Sequence, residues 1–255
     1  MSPIKDLRLP APGALPDEKT GKQMQSLLEY VRDCKQDKDD LWAFMGFAMG
    51  RGRLSKAQLF QDLWALWIND ARERGFFVEF GATDGQYLSN TWYLEKVMGW
   101  KGILAEPGPK YRQSLKANRS CAISEKCVHS SSGRTVDFLA VKEAEFSRVS
   151  EINPGDNKED RRQNHEVVPV QTISLNDLLH QNGAPRHFEF LSIDTEGSEF
   201  EILGALDFDR WRPRAICVEH NFTPLREKLL ELLTGHGYRR MWAGFSRFDD
   251  WYVLD

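Results

Sequence analysis

Four short segments of this 255-residue chain place acidic or imidazole side chains directly after an apolar run, where a strand of a sheet would end. In an open parallel sheet, ligands bind outside the carboxyl ends of the strands. The segments are VEFGATDG (78–85), ILAEP (103–107), LSIDTEGSE (191–199) and VEHN (218–221). Together they offer groups that can bind hydroxyls or cations and move a proton.

The first two segments have the spacing of a nucleoside site. Gly81 and Gly85 follow an apolar strand as G-x-x-x-G, whereas dinucleotide folds carry G-x-G-x-x-G. The preceding Glu79 is unsuited to cradling a phosphate. Glu106 lies roughly 20 residues beyond the glycine turn, the position from which an acidic side chain binds ribose hydroxyls. The pair predicts an adenosine site without a pyrophosphate; the alternatives are a plain strand–turn–helix and a surface glutamate before a turn proline.

The last two segments carry candidate acid–base groups. Asp194, Glu196 and Glu199 sit together after an apolar strand, where their repulsion must be relieved by a cation, a hydroxyl or a proton. Alternatively, they are acids at a helix start, a reading that suits Glu199 best and Asp194 least. His220 ends the next strand and has the titration range of a general base, although a lone histidine is more often structural.

Strands alternating with helices position these groups. Apolar runs predict strands at Phe76–Phe80, Gly102–Ala105, Thr135–Val141, Val167–Thr172, Phe188–Ile193 and Ala215–Glu219, with Tyr238–Trp242 and Trp251–Leu254 at the end. The alternation indicates a mostly parallel sheet covered by helices. The last two strands have a short connection and must pair antiparallel. Between them, the run Met241–Tyr252 carries Trp242, Phe245, Phe248, Trp251 and Tyr252 with Asp249 and Asp250: either a sugar-stacking face or core residues of a hairpin.

The N-terminal part has a different character. A proline-containing arm occupies residues 1–16, and Met24, Leu27, Leu28 and Val31 form an amphipathic helical stripe. The segment Leu41–Met49 is predicted to pack on the main domain, with an oligomer contact as the alternative. Ser55 is predicted to cap a further helix that ends near Gly75. The polar stretch Glu145–His165 is predicted to be a long loop, of the kind that covers binding sites.

Composition excludes several classes of protein. The 34 basic and 38 acidic residues give a net charge of −4, which does not support nucleic-acid binding. The four cysteines form no CxxC pair, and we expect buried free thiols. No secretory signal is visible, and no apolar run approaches the roughly 18 residues of a membrane span. The sequence therefore predicts a cytoplasmic protein without a membrane span.

The ordered motifs FVEFGATDG, SNT (Ser89–Thr91), WKGILAEP, SIDTEGSE and VEHN resemble those of the FkbM-type S-adenosylmethionine-dependent methyltransferases. The resemblance covers about residues 55–255 and implies a class I, Rossmann-like α/β methyltransferase. That fold has a seven-stranded, mostly parallel sheet with an antiparallel C-terminal strand, here with an N-terminal helical extension over residues 1–54. The stretch AQLFQD (57–62) departs from the family's SQxxQD only at its first residue.

The resemblance also implies roles for individual residues. Glu106 would hold the ribose hydroxyls of S-adenosylmethionine, Val128 within Cys127–His129 would lie near adenine, and Asp194 would face the sulfonium and the acceptor. Other expected cofactor-binding residues are Gln61, Glu79, Gly81, Asp84, Gly85 and Asn90. The family often has a lysine before Ile-Asp, where this chain has Ser192, and no role is assigned there.

The expected reaction is methyl transfer to a hydroxyl, on a sugar or glycan. Asp194 or His220 would act as the base, with Glu196 and Glu219 in support; alternatively, a divalent cation would bind Asp194, Glu219 and His220 and activate the hydroxyl. Other acceptors are a small natural product or a protein side chain, and a non-catalytic module with a cofactor fold is a third class. The N-terminal helices could support a homo-oligomer.

Overall fold

The computed structural model describes residues 25, 38–141, 146–152, 155 and 159–255. The predicted N-terminal arm and most of the amphipathic stripe from Met24 to Val31 lie outside these residues, as does Cys34. The three other cysteines are free thiols, two of them buried, as the sequence predicts. Within the described ranges, no helix has the length and apolar character that crossing a bilayer requires.

Seven strands form the main sheet. They are β1 (Phe76–Phe80), β2 (Lys101–Ala105), β3 (Ala122–Ser124), β8 (His187–Ile193), β9 (Arg212–Glu219), β10 (Tyr238–Met241) and β11 (Asp249–Leu254). Their order is β10-β11-β9-β8-β1-β2-β3. All neighbours pair in parallel except β11, which is antiparallel to β9 and β10. The predicted mostly parallel sheet with an antiparallel C-terminal strand is confirmed by this pairing.

Helices precede the first strand of the main sheet or connect the strands that follow. They are α1 (Lys38–Met49), α2 (Gln61–Ile68), α3 (Trp92–Lys96), a 3₁₀ turn (Pro109–Tyr111), α4 (Arg112–Asn118), α5 (Glu159–Arg162), α6 (Leu175–Gln181), α7 (Glu199–Gly204) and α8 (Leu225–Gly235). Two buried apolar clusters result, one of them centred on α1, α2 and the C-terminal strands, and the other on β8, α6, α7 and α8.

Helix α1 is part of the core. The ring of Phe44 stacks on Trp242 with centroids 5.4 Å apart and meets Trp251 edge-on at 6.1 Å. Leu41 and Met45 are buried in the same cluster. The prediction that this segment packs on the main domain is therefore confirmed.

Ser55 does not cap the next helix. Helix α2 begins at Gln61, after Phe60 in a left-handed conformation with φ 66°. Ser55 instead donates a 2.7 Å hydrogen bond from Oγ to Asp62 Oδ1, reaching the first turn from the preceding loop. The predicted end near Gly75 is also wrong, because α2 ends at Ile68 and the indole of Trp100 packs where a Cβ of residue 75 would stand.

A second, four-stranded sheet was not predicted. It consists of β4 (Cys127–His129), β5 (Thr135–Val141), β6 (Arg148–Val149) and β7 (His165–Ser174), in the order β4-β7-β5-β6. The stretch predicted as one long loop, Glu145–His165, contributes β6 and α5 to the described structure. Elements of two and four residues are too short to show a periodicity in the sequence.

Candidate active site

A cavity of about 730 Å³ opens at the carboxyl ends of β1, β2, β8 and β9. The chain runs outward from β1 to β2 and β3 and returns on the other side of β1 as β8. Such a reversal is where parallel sheets bind ligands. The small sheet contributes Val128, Phe138 and Val149 to the lining. The cavity is therefore the natural candidate for the functional site.

Most of the residues predicted from sequence line this cavity. They are Gln61, Gly81, Asn90, Glu106, Val128, Asp194, Glu196 and Glu219. Four others do not appear among the described lining residues, namely Glu79, Asp84, Gly85 and His220. The contacts of these four show what each of them does instead.

Gly81 allows the ends of β1 and β8 to meet. Its φ is +76°, a left-handed value that favours glycine, and a Cβ atom there would overlap the carbonyl oxygen of Asp194. The close approach fixes the Asp194 backbone against the turn that follows β1. A side chain at residue 81 would push the two strand ends apart.

Glu106 is a buried carboxylate at the end of β2. Its Oε2 accepts a 2.9 Å hydrogen bond from the Thr83 amide, and its Oε1 accepts one of 2.7 Å from the Gly108 amide. Burial raises the pKa of Glu106 to about 7, although the two amides act in the opposite direction. These contacts hold the carboxylate on the cavity wall while each oxygen keeps further acceptor capacity.

Three carboxylates meet at the ends of β8 and β9. One oxygen each from Asp194, Glu196 and Glu219 lies within 4.8 Å of the others. Burial, and then the charge of Glu196, raise the pKa of Asp194 well above its ordinary value, while a hydrogen bond with Glu219 opposes them. The cation site considered from sequence consisted of Asp194, Glu219 and His220. In the structure, Glu196 takes the place of His220 in this group.

Arg162 reaches this cluster from the short helix α5, and sequence reasoning missed it. Its Nη2 donates to Glu196 Oε2 at 2.7 Å, and its Nε donates to the Phe146 carbonyl at 3.1 Å. Both partners of the ion pair are almost completely buried. The amide of Asn221 lies 3.4 Å from the same Glu196 oxygen. Arg162 thus ties Phe146, which lines the cavity, to the turn after β8.

Glu79 supports the loop that carries Asn90. Its carboxylate accepts hydrogen bonds from the Asn90 amide at 2.7 Å and from the hydroxyls of Ser89 and Thr91. The guanidinium of Arg119 lies 3.6 Å away. The buried carboxylate therefore orients Asn90, whose Nδ2 donates to Ser192 Oγ at 3.0 Å.

Asp84 and Gly85 shape the turn that precedes Tyr87. Asp84 Oδ1 accepts from the amides of Gln86 and Tyr87 at 2.8 and 2.7 Å. Gly85 has φ +79°, and a Cβ there would clash with Arg119 and Leu115. Both residues position the loop backbone rather than the cavity surface.

His220 is buried beside the cavity and faces a separate charge cluster. Its Nδ1 accepts a 3.0 Å hydrogen bond from the Phe222 amide. Its Nε2 lies 3.7 Å from Asp250, which is bound by Arg226 and Arg240. Burial lowers the pKa of His220 and outweighs the opposite effect of Asp250. The structure thus gives this imidazole a role in holding the Phe222 loop.

The C-terminal aromatic run is mostly core. Trp242, Phe245, Trp251 and Tyr252 are buried in the apolar clusters, which corrects the stacking face considered from sequence. Phe248 is the aromatic of this run that lines the cavity. Asp249 also lines it, and Gln61 Nε2 donates to Asp249 Oδ2 at 2.7 Å. Burial raises the pKa of Asp249 to about 6.

Two aromatic rings at the cavity are exposed and were not predicted. Tyr87 keeps 59% and Phe222 72% of its surface exposed, and both line the cavity. Tyr87 follows β1 in the chain and Phe222 follows β9, so the two loops lie on either side of β8. Exposure of a single ring in a motif loop leaves no periodic signal that a sequence could show.

One family model matches the part of the chain that contains most of this site. The family model described as Methyltransferase FkbM domain matches residues 79–240, a range that includes Glu106, Asp194 and His220. A comparison with curated proteins found no match.

Similar solved structures include a precorrin-6y C5,15-methyltransferase from Geobacter metallireducens GS-15, with a TM-score of 0.40, 14% identity, and coverage of 75% of this chain and 81% of that chain. Another is the apo structure of CalS11, a TDP-rhamnose 3'-O-methyltransferase of calicheamicin biosynthesis, with a TM-score of 0.40, 12% identity, and coverage of 98% and 99%. TM-scores of 0.40 are too low to support a conclusion about this chain. Its fold is defined by the strand order of its own sheet.

Proposed function

The chain belongs to the FkbM methyltransferase family, and from that premise we propose that it transfers the methyl group of S-adenosylmethionine to a hydroxyl of a sugar or glycan. The observation that carries the proposal is the position of Glu106. This buried carboxylate ends β2, next to the glycine turn after β1, and shares one cavity with Asp194.

The donor set of the cavity fits the cofactor. Glu106 has the acceptor capacity for two ribose hydroxyls, and the apolar side chains of Val128, Phe80 and Ala105 offer a wall for adenine. Asn90 and Gln61 add amide groups to the polar part of the cavity. When bound, S-adenosylmethionine supplies a methyl group already activated on a sulfonium.

The acceptor end is assigned to Asp194. Its raised pKa suits a group that must accept a proton from a hydroxyl near neutral pH. Glu219 shares a hydrogen bond with it, and Glu196 is held by Arg162. Placing the acceptor beside this carboxylate is the larger contribution, of the order of 7–11 kcal/mol at best. Base catalysis adds about 10²–10⁴-fold.

The proposal requires no divalent cation. Arg162 already supplies a buried positive charge to Glu196, and Asp194 and Glu219 share a hydrogen bond. His220 lies outside the cavity lining, so we assign it neither the base nor a ligand role. Both assignments are tested separately from the methyl transfer itself.

The test measures S-adenosylhomocysteine binding by calorimetry with wild type, Glu106→Gln and Glu125→Gln. Glu125 is a partly exposed glutamate that pairs with Lys116 and Arg112 outside the cavity lining. We expect Glu106→Gln to weaken binding about 10- to 100-fold, because charge-assisted hydrogen bonds are lost, and Glu125→Gln to leave it unchanged. Equal affinity in all three proteins would contradict the assignment.

Turnover is then tested with labelled S-adenosylmethionine and a panel of sugars, phenols and peptides. Transfer to a sugar hydroxyl that disappears in Asp194→Asn supports the proposal. Transfer only to phenols or peptides would contradict the proposed sugar acceptor. Unchanged transfer by Asp194→Asn would remove this residue from the chemistry.

A further inference from the structure

Two exposed aromatic rings stand at the cavity. Among the described residues, the exposed large aromatic side chains are Trp42, Tyr87 and Phe222. Single exposed apolar residues are ordinary. Two of these three, however, line the same cavity, and exposed apolar surface at a polar cavity is typical of a ligand contact.

The backbone holds each ring in place. The Tyr87 amide donates to Asp84 Oδ1 at 2.7 Å, and the Phe222 amide donates to His220 Nδ1 at 3.0 Å. Phe222 itself has φ 58°, a left-handed value that is unfavourable for a bulky residue. Strained backbone that persists at a cavity is commonly part of a binding device. Local hydrogen bonds therefore fix the backbone that carries each ring.

The two rings flank the acidic turn. Strand β8 lies between β1 and β9, and neighbouring strands are about 4.8 Å apart, so the loops after β1 and β9 start about 10 Å from each other. Asp194 and Glu196 lie on the turn after the intervening strand. Asn221 lies next to Phe222 and faces Glu196. Both rings and these polar groups line the same cavity, so a ligand there can meet apolar and polar surface together.

A sugar ring matches this combination. The carbon–hydrogen face of a pyranose is apolar and slightly positive, and it packs against the negative face of an aromatic ring. Its hydroxyls at the ring edge can bond to carboxylates and an amide. A flat apolar acceptor would take water away from the carboxylate of Asp194 without offering it a hydroxyl, which costs free energy.

We propose that Tyr87 and Phe222 form the acceptor platform, on which the carbon–hydrogen surface of a pyranose ring packs so that one of its hydroxyls faces Asp194. The inference rests on the proposed function and deepens it, because it assigns residues and a sugar ring to the acceptor end of the cavity. Asp84 and His220 act on this platform as positioning residues through the backbone amides they bind.

The experiment uses full-length protein saturated with S-adenosylhomocysteine and a panel of methyl glycopyranosides. Saturation-transfer NMR measures glycoside binding to wild type, Tyr87→Ala, Phe222→Ala and Trp42→Ala. The Trp42 variant is the matched control, since this ring is 48% exposed on α1 and is not among the cavity residues. Tyr87→Phe and Phe222→Tyr test whether an aromatic face alone restores binding. Calorimetry with S-adenosylhomocysteine reports the cofactor half of the cavity in every variant.

We expect at least one glycoside to bind wild type, and each alanine variant at the platform to weaken that binding about tenfold. Trp42→Ala and the two aromatic replacements should bind nearly as wild type, and the affinity for S-adenosylhomocysteine should stay within about twofold throughout. Undiminished glycoside binding by both alanine variants would overturn the inference. So would cofactor binding without binding of any glycoside, a result that leaves the methyltransferase proposal standing. Failure of wild type to bind S-adenosylhomocysteine would contradict both this inference and the methyltransferase proposal.

Discussion

Arg162 and Glu196 form a buried ion pair at the floor of the cavity, with Nη2 2.7 Å from Oε2. The arginine belongs to α5, and the glutamate to the turn after β8. The contact joins α5 to the turn that carries Asp194. Removing one partner of a buried pair leaves an uncompensated charge, whereas removing both does not.

The first prediction concerns this pair. Arg162→Met should lower the free energy of unfolding by about 3–5 kcal/mol, and adding Glu196→Gln should recover part of the loss. Urea unfolding of both single variants and the double variant measures the coupling. Arg134→Gln is the matched control, because Arg134 pairs with Glu151 in an exposed setting worth about 0–1 kcal/mol. Strictly additive losses would show that the pair is not coupled.

The second prediction concerns the pH dependence of cofactor binding. In the proposed site, ribose hydroxyls would donate to the ionised Glu106, whose pKa is raised by burial to about 7. Affinity for S-adenosylhomocysteine should therefore rise as the pH increases through about 7, with uptake of ligand releasing protons. Calorimetry in buffers of different ionisation enthalpy measures both effects. A Glu106→Gln variant should lose this pH dependence. If the affinity of the variant still changed with pH, another group would be responsible for the effect.

The same shift has a consequence for stability. A carboxyl with a raised pKa binds its proton more tightly in the folded protein, so its contribution favours folding most below the ordinary value of 4.5. That contribution is lost as the pH rises from 4.5 to about 7. Glu106→Gln should flatten this part of the stability profile in the ligand-free protein.

The third prediction concerns divalent cations. Since Arg162 compensates Glu196, millimolar Mg²⁺ or Mn²⁺ should change the unfolding temperature of wild type by less than about 1 °C. In Arg162→Met the three carboxylates lose this cation, and Mn²⁺ should then stabilise the protein measurably. Thermal unfolding with and without chelator checks both statements. A metal-dependent shift in wild type would favour a cation held by Asp194, Glu196 and Glu219.

The fourth prediction separates His220 from a general base. An asparagine at residue 220 can still accept from the Phe222 amide, so His220→Asn should keep most of the turnover rate. His220→Ala should raise KM for the acceptor more than it lowers kcat, because the Phe222 loop loses its anchor. Steady-state kinetics on an acceptor found in the sugar screen provides the test. If His220→Asn lowered kcat as much as Asp194→Asn does, His220 would have to take part in the reaction.

The fifth prediction concerns the boundary of the folding unit. The sequence suggests a methyltransferase domain over 55–255, yet Leu41, Phe44 and Met45 are buried in the core. Losing such side chains costs about 1.5–3 kcal/mol each, which is comparable with total stability. A protein that starts at Ser55 should therefore fail to unfold cooperatively on heating, whereas one that starts at Lys38 should keep a sharp transition. Circular dichroism distinguishes the two.

Much of the main sheet could be predicted because its central strands are buried on both faces and read as apolar runs, as Phe76–Phe80 and His187–Ile193 do. The same logic locates Glu106 and Asp194, since both end such strands. Two strands of the small sheet, β5 and β7, lie where strands were predicted, although β7 begins two residues earlier, in an exposed stretch. The arrangement as a separate sheet was missed because β4 and β6 have three and two residues.

The features that the sequence did not predict depend on contacts between residues far apart in the chain. Arg162 and Glu196 are 34 positions apart, and no local pattern joins them. The aromatic residues after Met241 have the composition of a binding face but pack against α1, which sequence alone could not decide. Glu79 and Asp84 lie in a motif predicted to bind the cofactor, yet their carboxylates bond to neighbouring backbone amides and hydroxyls.

The loops around the cavity also determine where the protein could be made more stable. Thr83, Leu88, Asn221 and Phe222 all line the cavity with positive φ, a conformation that glycine would adopt at lower cost. Glycine at such positions is an obvious choice for engineering a more heat-resistant enzyme. It would also loosen the loops that hold the aromatic rings and carboxylates at the cavity. Selection for heat resistance and selection for turnover should therefore choose opposite residues at these positions.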